Sequence, residues 1–528
     1  MISAYPILTE ARQALDEGRH ELAAQLVMRH LRQHPGEPRG LALLGAVAMK
    51  AGALRQAENF LRQAMARGQD DAEARRLLGS CLHQQERLKE ALHIFGEILP
   101  QDSDPHIRGT VALILDKLGR VEEARQIWEP LVQEHPEKPA HWVGYGHNLR
   151  GAGRTDEAIR AYRRAIAIEP DHGEAWWGIA SIKKNVFDDE DVTAMETALR
   201  MAIDVRHIAP LHFALGRAWH LRKQYKKAFD HFAEANRLWA ETINYDPDEL
   251  TEEIHEAAGR FDRNYFEGLT LGGDPSEAPI FIVSLPRSGS TLLEQMLGSH
   301  ADIEALGELP YIPSLLRAVM EKATSRTRVT VPQALEQLSP EERTSLGEEY
   351  LRRSALHRQS SKRRFTDKLP HNWNNVIFIR HILPNARFVD IRRDPVACCF
   401  ANFSHSFTRA HASSFTLTDI GRAYVDYLRL MDHLDRAAPG LVHHLRYEEL
   451  IEFPERELRH VMDYLGLPWD EDCLRFYESK RTVRTPSAEQ VRRPLNREGI
   501  GTWKPYADWL GPLRRVLGPL ADAETADA

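Results

Sequence analysis

The chain has 528 residues, 42% hydrophobic and 28% charged, the make-up of a folded globular protein rather than a disordered one. Its 69 basic and 77 acidic residues leave a formal charge of −8, which excludes a protein whose main task is coating nucleic acid. No apolar run reaches the ~18 residues of a membrane helix, and residues 1–20 lack the apolar segment of a secretory signal. Four cysteines without C-x-x-C spacing argue against a disulfide frame or a zinc site, so a cytoplasmic protein is expected.

The first half repeats itself. Ala57, Ala91, Ala124 and Ala158 stand 34, 33 and 34 residues apart, and Ala228 follows 70 residues later. Four residues after each comes a large apolar residue (Leu61, Phe95, Trp128, Tyr162, Phe232), and three further on Ala64, Ile98, Leu131, Ala165 and Ala235. Gly45, Gly79, Gly146 and Gly216 precede the alanines at a fixed offset. Small residues where helices cross and large ones in the groove between neighbours describe a helix–turn–helix unit that must stack to bury its face. About six to seven such units are expected over residues 5–238, with an irregular one near 173–208. The array serves either as a spacer or oligomerisation surface, or as a groove for a peptide or partner protein.

Residues 239–275 read as a connector with one further helix over Leu250 to Phe266, broken afterwards by Gly268, Gly272, Gly273 and Pro275. The second domain is expected over 276–528. Pro279 to Ser284 suits a buried parallel strand. Then come Arg287, Ser288, Gly289, Ser290 and Thr291, and a helical segment from Leu292 to Gly298. Strand, small-residue loop and helix aim backbone N–H groups at a phosphate. The Lys of the nucleotide-triphosphatase loop is replaced by Ser290, which disfavours a metal-dependent kinase or triphosphatase.

P-R-S-G-S-T after a strand resembles the 5′-phosphosulfate loop of sulfotransferases, which use 3′-phosphoadenosine 5′-phosphosulfate (PAPS). Further blocks follow in the family's order. Residues 387–395, R-F-V-D-I-R-R-D-P, resemble the second strand and its turn, where Arg393 matches the 3′-phosphate ligand. Leu306 to Pro310 resembles the G-E segment of protein-tyrosine sulfotransferases, and Phe365 to Pro370 their N-K-D-P segment. Arg446 to Leu450 resembles R-Y-E-x-L. Ser487 to Asn496 resembles the loop that covers the nucleotide, and Gly501-Thr502-Trp503 its S-K-W end. Together with the repeats, the chain resembles the bacterial tetratricopeptide-repeat sulfotransferases.

The resemblance implies an α solenoid followed by a three-layer α/β domain with a central parallel sheet. It implies PAPS as co-substrate, no metal, and a hydroxyl acceptor: a protein tyrosine, a carbohydrate or a small molecule. By it, Glu308 is the general base, Lys368 steadies the transferring group and Ser487 assists. The nucleotide ligands would be Arg287, Ser288, Gly289, Ser290, Thr291, Arg393, Tyr447, Gln490, Val491, Arg492, Pro494 and Asn496. Two positions depart from the family: Ala401 stands where a Ser binds the 3′-phosphate, with Ser404 one turn later as a substitute, and Thr502 replaces a Lys. The departures leave a second possibility, a repeat scaffold that binds a nucleotide without catalysis. The histidines His405, His411, His443 and His444 show no ligand pattern for a metal.

Overall fold

The computed structural model describes residues 5–68, 72–99, 104–182, 187–269, 271–324, 329–407, 409–479 and 490–525. Fourteen helices open the chain among these residues. They are α1 Pro6–Asp16, α2 His20–Gln33, α3 Pro38–Lys50, α4 Leu54–Arg67, α5 Ala72–Gln84, α6 Leu88–Ile98, α7 Pro105–Lys117 and α8 Val121–Glu134, then α9 Pro139–Gly151, α10 Thr155–Ile168, α11 Gly173–Ala180, α12 Asp189–Met201, α13 Val205–Leu221 and α14 Tyr225–Ala240.

The repeat pattern has a steric cause. All five periodic alanines are fully buried, as are the large residues four positions on. A Cβ on Gly45 would lie 2.7 Å from Leu61, on Gly79 2.7 Å from Phe95, on Gly146 2.5 Å from Tyr162, and on Gly216 2.4 Å from Phe232. Each glycine therefore admits the large residue of its own hairpin, and each fixed offset in sequence is one contact in space. Within several pairs the turn passes through the left-handed region at a glycine: Gly18, Gly52, Gly119 and Gly153 have φ of 77–85°. Glu86 and Lys223 hold the same turn position in two other pairs, at φ 56° and 58°. The irregular unit is the pair α11 and α12. Its first helix has only eight residues, and its second is started by a capping box between Asp188 and Asp191.

The chain forms two compact units: Met1–Gln133 with Pro313–Val329, and Glu134–Ile312 with Thr330–Ala528. In the first, the segment Pro313–Val329 rests on the repeats. Ser314 Oγ donates to the Gln85 carbonyl at 2.7 Å, and Arg55 Nη1 to the Ala318 carbonyl at 3.2 Å.

In the second unit, α15 Pro247–Arg260 and α16 Arg263–Gly268 stand where one helix was expected. The break falls at Phe261, and Asp262 restarts the chain by accepting from the Tyr265 N–H at 2.8 Å. Five parallel strands follow: β1 Pro279–Val283, β2 Ile303–Ala305, β3 Arg364–Asp367, β4 Arg387–Arg392 and β5 Val442–Arg446, in the order β2-β3-β1-β4-β5. All five residues of β1 are buried, as the continuous apolar run requires of a central strand. The helices that matter for the site are α17 Ser290–Gly298, after β1, then α18 Tyr311–Ala323, α19 Val331–Glu336, α20 Pro340–Ser354, α21 Val376–Ile382, α22 Pro395–Phe403, after β4, and α23 Leu417–Ala437. This is an α solenoid followed by an α/β domain with a central parallel sheet.

Candidate active site

β1 ends in a loop whose shape follows from a few residues. The backbone enters the left-handed region at Arg287 (φ 67°) and Gly289 (φ 101°), and α17 starts at Ser290. A Cβ at Gly289 would lie 2.4 Å from the Tyr447 ring, so this position needs glycine on two counts. Behind the loop, Asn402 of α22 donates from Nδ2 to the Pro286 carbonyl at 2.7 Å and to the Cys398 carbonyl at 2.8 Å. Ser288 Oγ turns the same way, 3.3 Å from Cys398 Sγ. Gly289, Ser290 and Thr291 remain on the open side and line a cavity of about 480 Å³. A helix start at the carboxyl end of a central parallel strand is a ready anion site.

Glu308 reaches the same cavity from the segment after β2. That segment is held from behind by buried Glu294 of α17. Its Oε1 accepts from the Gly307 N–H at 2.8 Å and from Thr366 Oγ1 at 3.0 Å. Lys368 follows β3, and its backbone N–H donates to the Gly307 carbonyl at 2.8 Å. Its buried ammonium bonds to Glu308 Oε1, while the Glu308 side chain is 45% exposed. One partner is therefore fixed and the other is open to an incoming molecule. The preceding Asp367 accepts from Tyr350 Oη at 2.9 Å, and burial pushes its carboxyl up to about 8. Burial thus favours its neutral form, and the hydrogen bond to the Lys368 ammonium is made by Glu308.

Arg393 leaves β4 and ties the site together. It donates from Nη1 to the Arg287 carbonyl at 2.9 Å and from Nη2 to the Gly499 carbonyl, and it stacks on Tyr447 at 5.3 Å. Its Nε is buried without a partner among the described residues. Its neighbour Arg392 turns away, into an ion pair with fully buried Asp390 at 2.7 Å.

The remaining wall comes from the repeats. Trp177 and Ser181 at the end of α11, and Arg217 and His220 of α13, line the cavity. His220 Nδ1 sits 2.7 Å from Tyr506 Oη, and the Tyr506 ring lies 4.4 Å from Phe400 of α22. Trp177 meets His405 edge-on at 5.2 Å.

Burial lowers the guanidinium of Arg287 to about 10, helped by the like charges of Arg393 and Arg217. The imidazoles of His220 and His411 are lowered to about 4 by burial, and that of His405 falls well below its usual value for the same reason. At neutral pH the positive charge on this wall is therefore carried by arginines.

The structure thus gathers Arg287, Gly289, Ser290, Thr291, Arg393, Ser404, Tyr447, Val491, Pro494, Asn496 and Glu308 around one cavity, with Lys368 directly behind Glu308. Ser288 turns from it toward Cys398. Arg492 is exposed and rests on Gly153, while Arg493 lines the cavity. Ser487 and the Gln490 side chain lie outside the described residues. Arg217 and His220 were missed because they belong to the repeats, where a polar residue reads as a solvated helix face, and Trp177 because an aromatic there reads as repeat packing. Glu294 was missed because a lone Glu inside an apolar helix has no motif. Among the described residues no group of three or more His, Cys, Asp and Glu could hold a metal, and no helix is long and apolar enough to cross a membrane.

These features define a parallel α/β domain with a loop and helix start at the carboxyl end of its central strand, walled in part by helical repeats. The family model "Sulfotransferase family" matches residues 279–471, and tetratricopeptide-repeat models match 14–81, 48–114 and 139–182. The chain carries tetratricopeptide repeats followed by a domain of the sulfotransferase family. An Aquifex aeolicus protein described as uncharacterized is 32% identical over 377 residues, 70% of this chain and 49% of its own length. Protein-tyrosine sulfotransferase 1 of Danio rerio is 28% identical over 238 residues, 42% of this chain and 65% of its own length. The chain thus spans less than two thirds of either relative. Among solved structures, the sulfotransferase domain of the Synechococcus PCC 7002 olefin synthase is 20% identical, with a TM-score of 0.28. It is matched over 45% of this chain and 96% of its own.

Proposed function

We propose that the chain moves a sulfuryl group from PAPS to a hydroxyl acceptor, a protein tyrosine being the first candidate. The observation that carries this reading is the pairing of buried Lys368 with half-exposed Glu308 at the rim of a cavity lined by Arg287, Gly289, Ser290 and Thr291. A binding scaffold has no use for a buried ammonium aimed at a solvent-facing carboxylate. The cavity residues fit the donor: a helix start and Arg287 for its 5′ end, Arg393 with an unpaired Nε for its 3′-phosphate, and the Tyr447 ring beside it.

The donor supplies the activated sulfuryl group; alignment and proton handling fall to the protein. Glu308 accepts the acceptor's hydroxyl proton as the oxygen attacks sulfur. The bond from sulfur to the bridging phosphate oxygen breaks, and the phosphate leaves with the electron pair. Lys368, Arg287 and the start of α17 offset the charge that develops on the leaving and sulfuryl oxygens. Ser487 is assigned an assisting role by its motif. The repeats hold the acceptor or a partner protein. Incubation with radiolabelled PAPS and a cell extract, followed by identification of the labelled product, tests the reading. Label on protein tyrosine is expected; label on carbohydrate or a small molecule would reassign the acceptor, and no transfer would remove the activity.

A further inference from the structure

The nucleotide wall contains an arginine that no motif of the second half supplies. Arg217 lies on α13, within the repeats, and lines the same cavity as Arg287 and Arg393. It makes no ion pair or hydrogen bond with a described residue. The carboxylates lining the cavity are Glu308, engaged by Lys368, and Glu498. With Arg493, four guanidiniums line this cavity against two carboxylates, which suits a ligand with more than one phosphate.

The position of Arg217 is also specific. One turn further along α13, His220 bonds to Tyr506, and Tyr506 packs on Phe400 of α22. The residue after Phe400 is Ala401, which lines the cavity with a methyl group where a hydroxyl was expected. Arg217 and Ala401 thus face one cavity from helices that Tyr506 joins. Burial lowers the nearby imidazoles of His220 and His405, which leaves Arg217 as the cation that α13 presents to the cavity.

Resting on the PAPS reading above, we propose that Arg217, from the repeat array, is the second guanidinium that binds the donor's 3′-phosphate, in the place left open by Ala401. The repeats would then contribute a ligand to the nucleotide as well as a surface for the acceptor.

Calorimetry on the full chain, with adenosine 3′,5′-bisphosphate and adenosine 5′-monophosphate as probes, tests this without turnover. Arg217→Ala should weaken the bisphosphate by about 10- to 150-fold, the range of a charge-assisted contact, and the monophosphate by no more than about threefold. Arg217→Gln keeps the stem and should show the same split, which guards against misfolding of the alanine variant. Equal losses on both probes would overturn the assignment. So would an unchanged bisphosphate affinity, which would place Arg217 on the acceptor side. Failure of the parent itself to bind the bisphosphate would instead remove the PAPS reading on which the proposal rests.

Discussion

At the scale of single residues, Glu308 and Arg393 separate chemistry from binding. Glu308→Gln keeps the size of the side chain and removes the proposed base, so turnover should fall about 10²- to 10⁴-fold. Affinity for adenosine 3′,5′-bisphosphate should stay within about threefold. Arg393→Ala should give the opposite result, a loss of about 10- to 150-fold in that affinity with turnover at saturating donor much less affected. Steady-state kinetics with calorimetry distinguishes the two, and intact turnover in Glu308→Gln would send the search for a base to other carboxylates. Asp367 makes a prediction about pH. Burial raises its carboxyl to about 8, against ~3.9 in an unfolded chain. Between these values the folded state holds a proton that the unfolded chain has released. Its contribution to stability is therefore full below about pH 4, declines as pH rises, and is lost above about pH 8. Asp367→Asn should flatten this decline in urea titrations at pH 5 and pH 8. An unchanged slope would mean another group is responsible.

Elements show what the sequence made legible. The strand β1, its loop and the start of α17 were readable because an apolar β-branched run next to small residues has few folds open to it. The repeat helices were readable because each periodic residue has one partner in its own hairpin. What escaped were residues whose meaning lies in long-range contacts. Glu294 grips Gly307 and Thr366, and Arg217 meets the site across a large sequence gap. The single helix expected over Leu250 to Phe266 fails for a local reason, since Asp262 offers a better start to a new helix than continuation of the old. Two predictions belong here. Gly216→Ala drives a methyl to within 2.4 Å of the Phe232 ring and should cost about 1–3 kcal/mol. Combining it with Phe232→Leu should cost less than the two changes separately, because both act on one contact. Lys223 holds the left-handed turn position that glycine fills in other hairpins. Lys223→Gly should stabilise that turn by about 0.5–1 kcal/mol, read as a rise in melting temperature.

For the whole molecule, the repeats do not end where the sheet domain begins to matter. Residues 134–312 and 330–528 form one compact unit, and α11 and α13 wall its cavity. Sequence reading treats 1–238 as separable because repeat contacts are between neighbours. In this unit the last repeats also cover Tyr506 and contact Phe403: Asn236 Nδ2 donates to the Phe403 carbonyl at 2.7 Å. A fragment of residues 134–528 should therefore bind adenosine 3′,5′-bisphosphate nearly as well as the full chain. A fragment of residues 276–528 should bind it at least about tenfold more weakly, if it folds, because Arg217 is absent. Equal affinity of both fragments would show that the repeats contribute nothing to the nucleotide.

The segment Pro313–Val329 has a consequence for synthesis. Ser314 and the Ala318 carbonyl bond to hairpins that leave the ribosome before them. The first compact unit is therefore discontinuous, and residues 134–312, 179 of them, separate its two parts. At about 5–20 residues per second, the early hairpins wait roughly 9–36 s for that segment to emerge. During this interval the surface it will cover stays open to chaperones and to neighbouring nascent chains, so maturation of the N-terminal repeats is timed by translation of the chain that follows them.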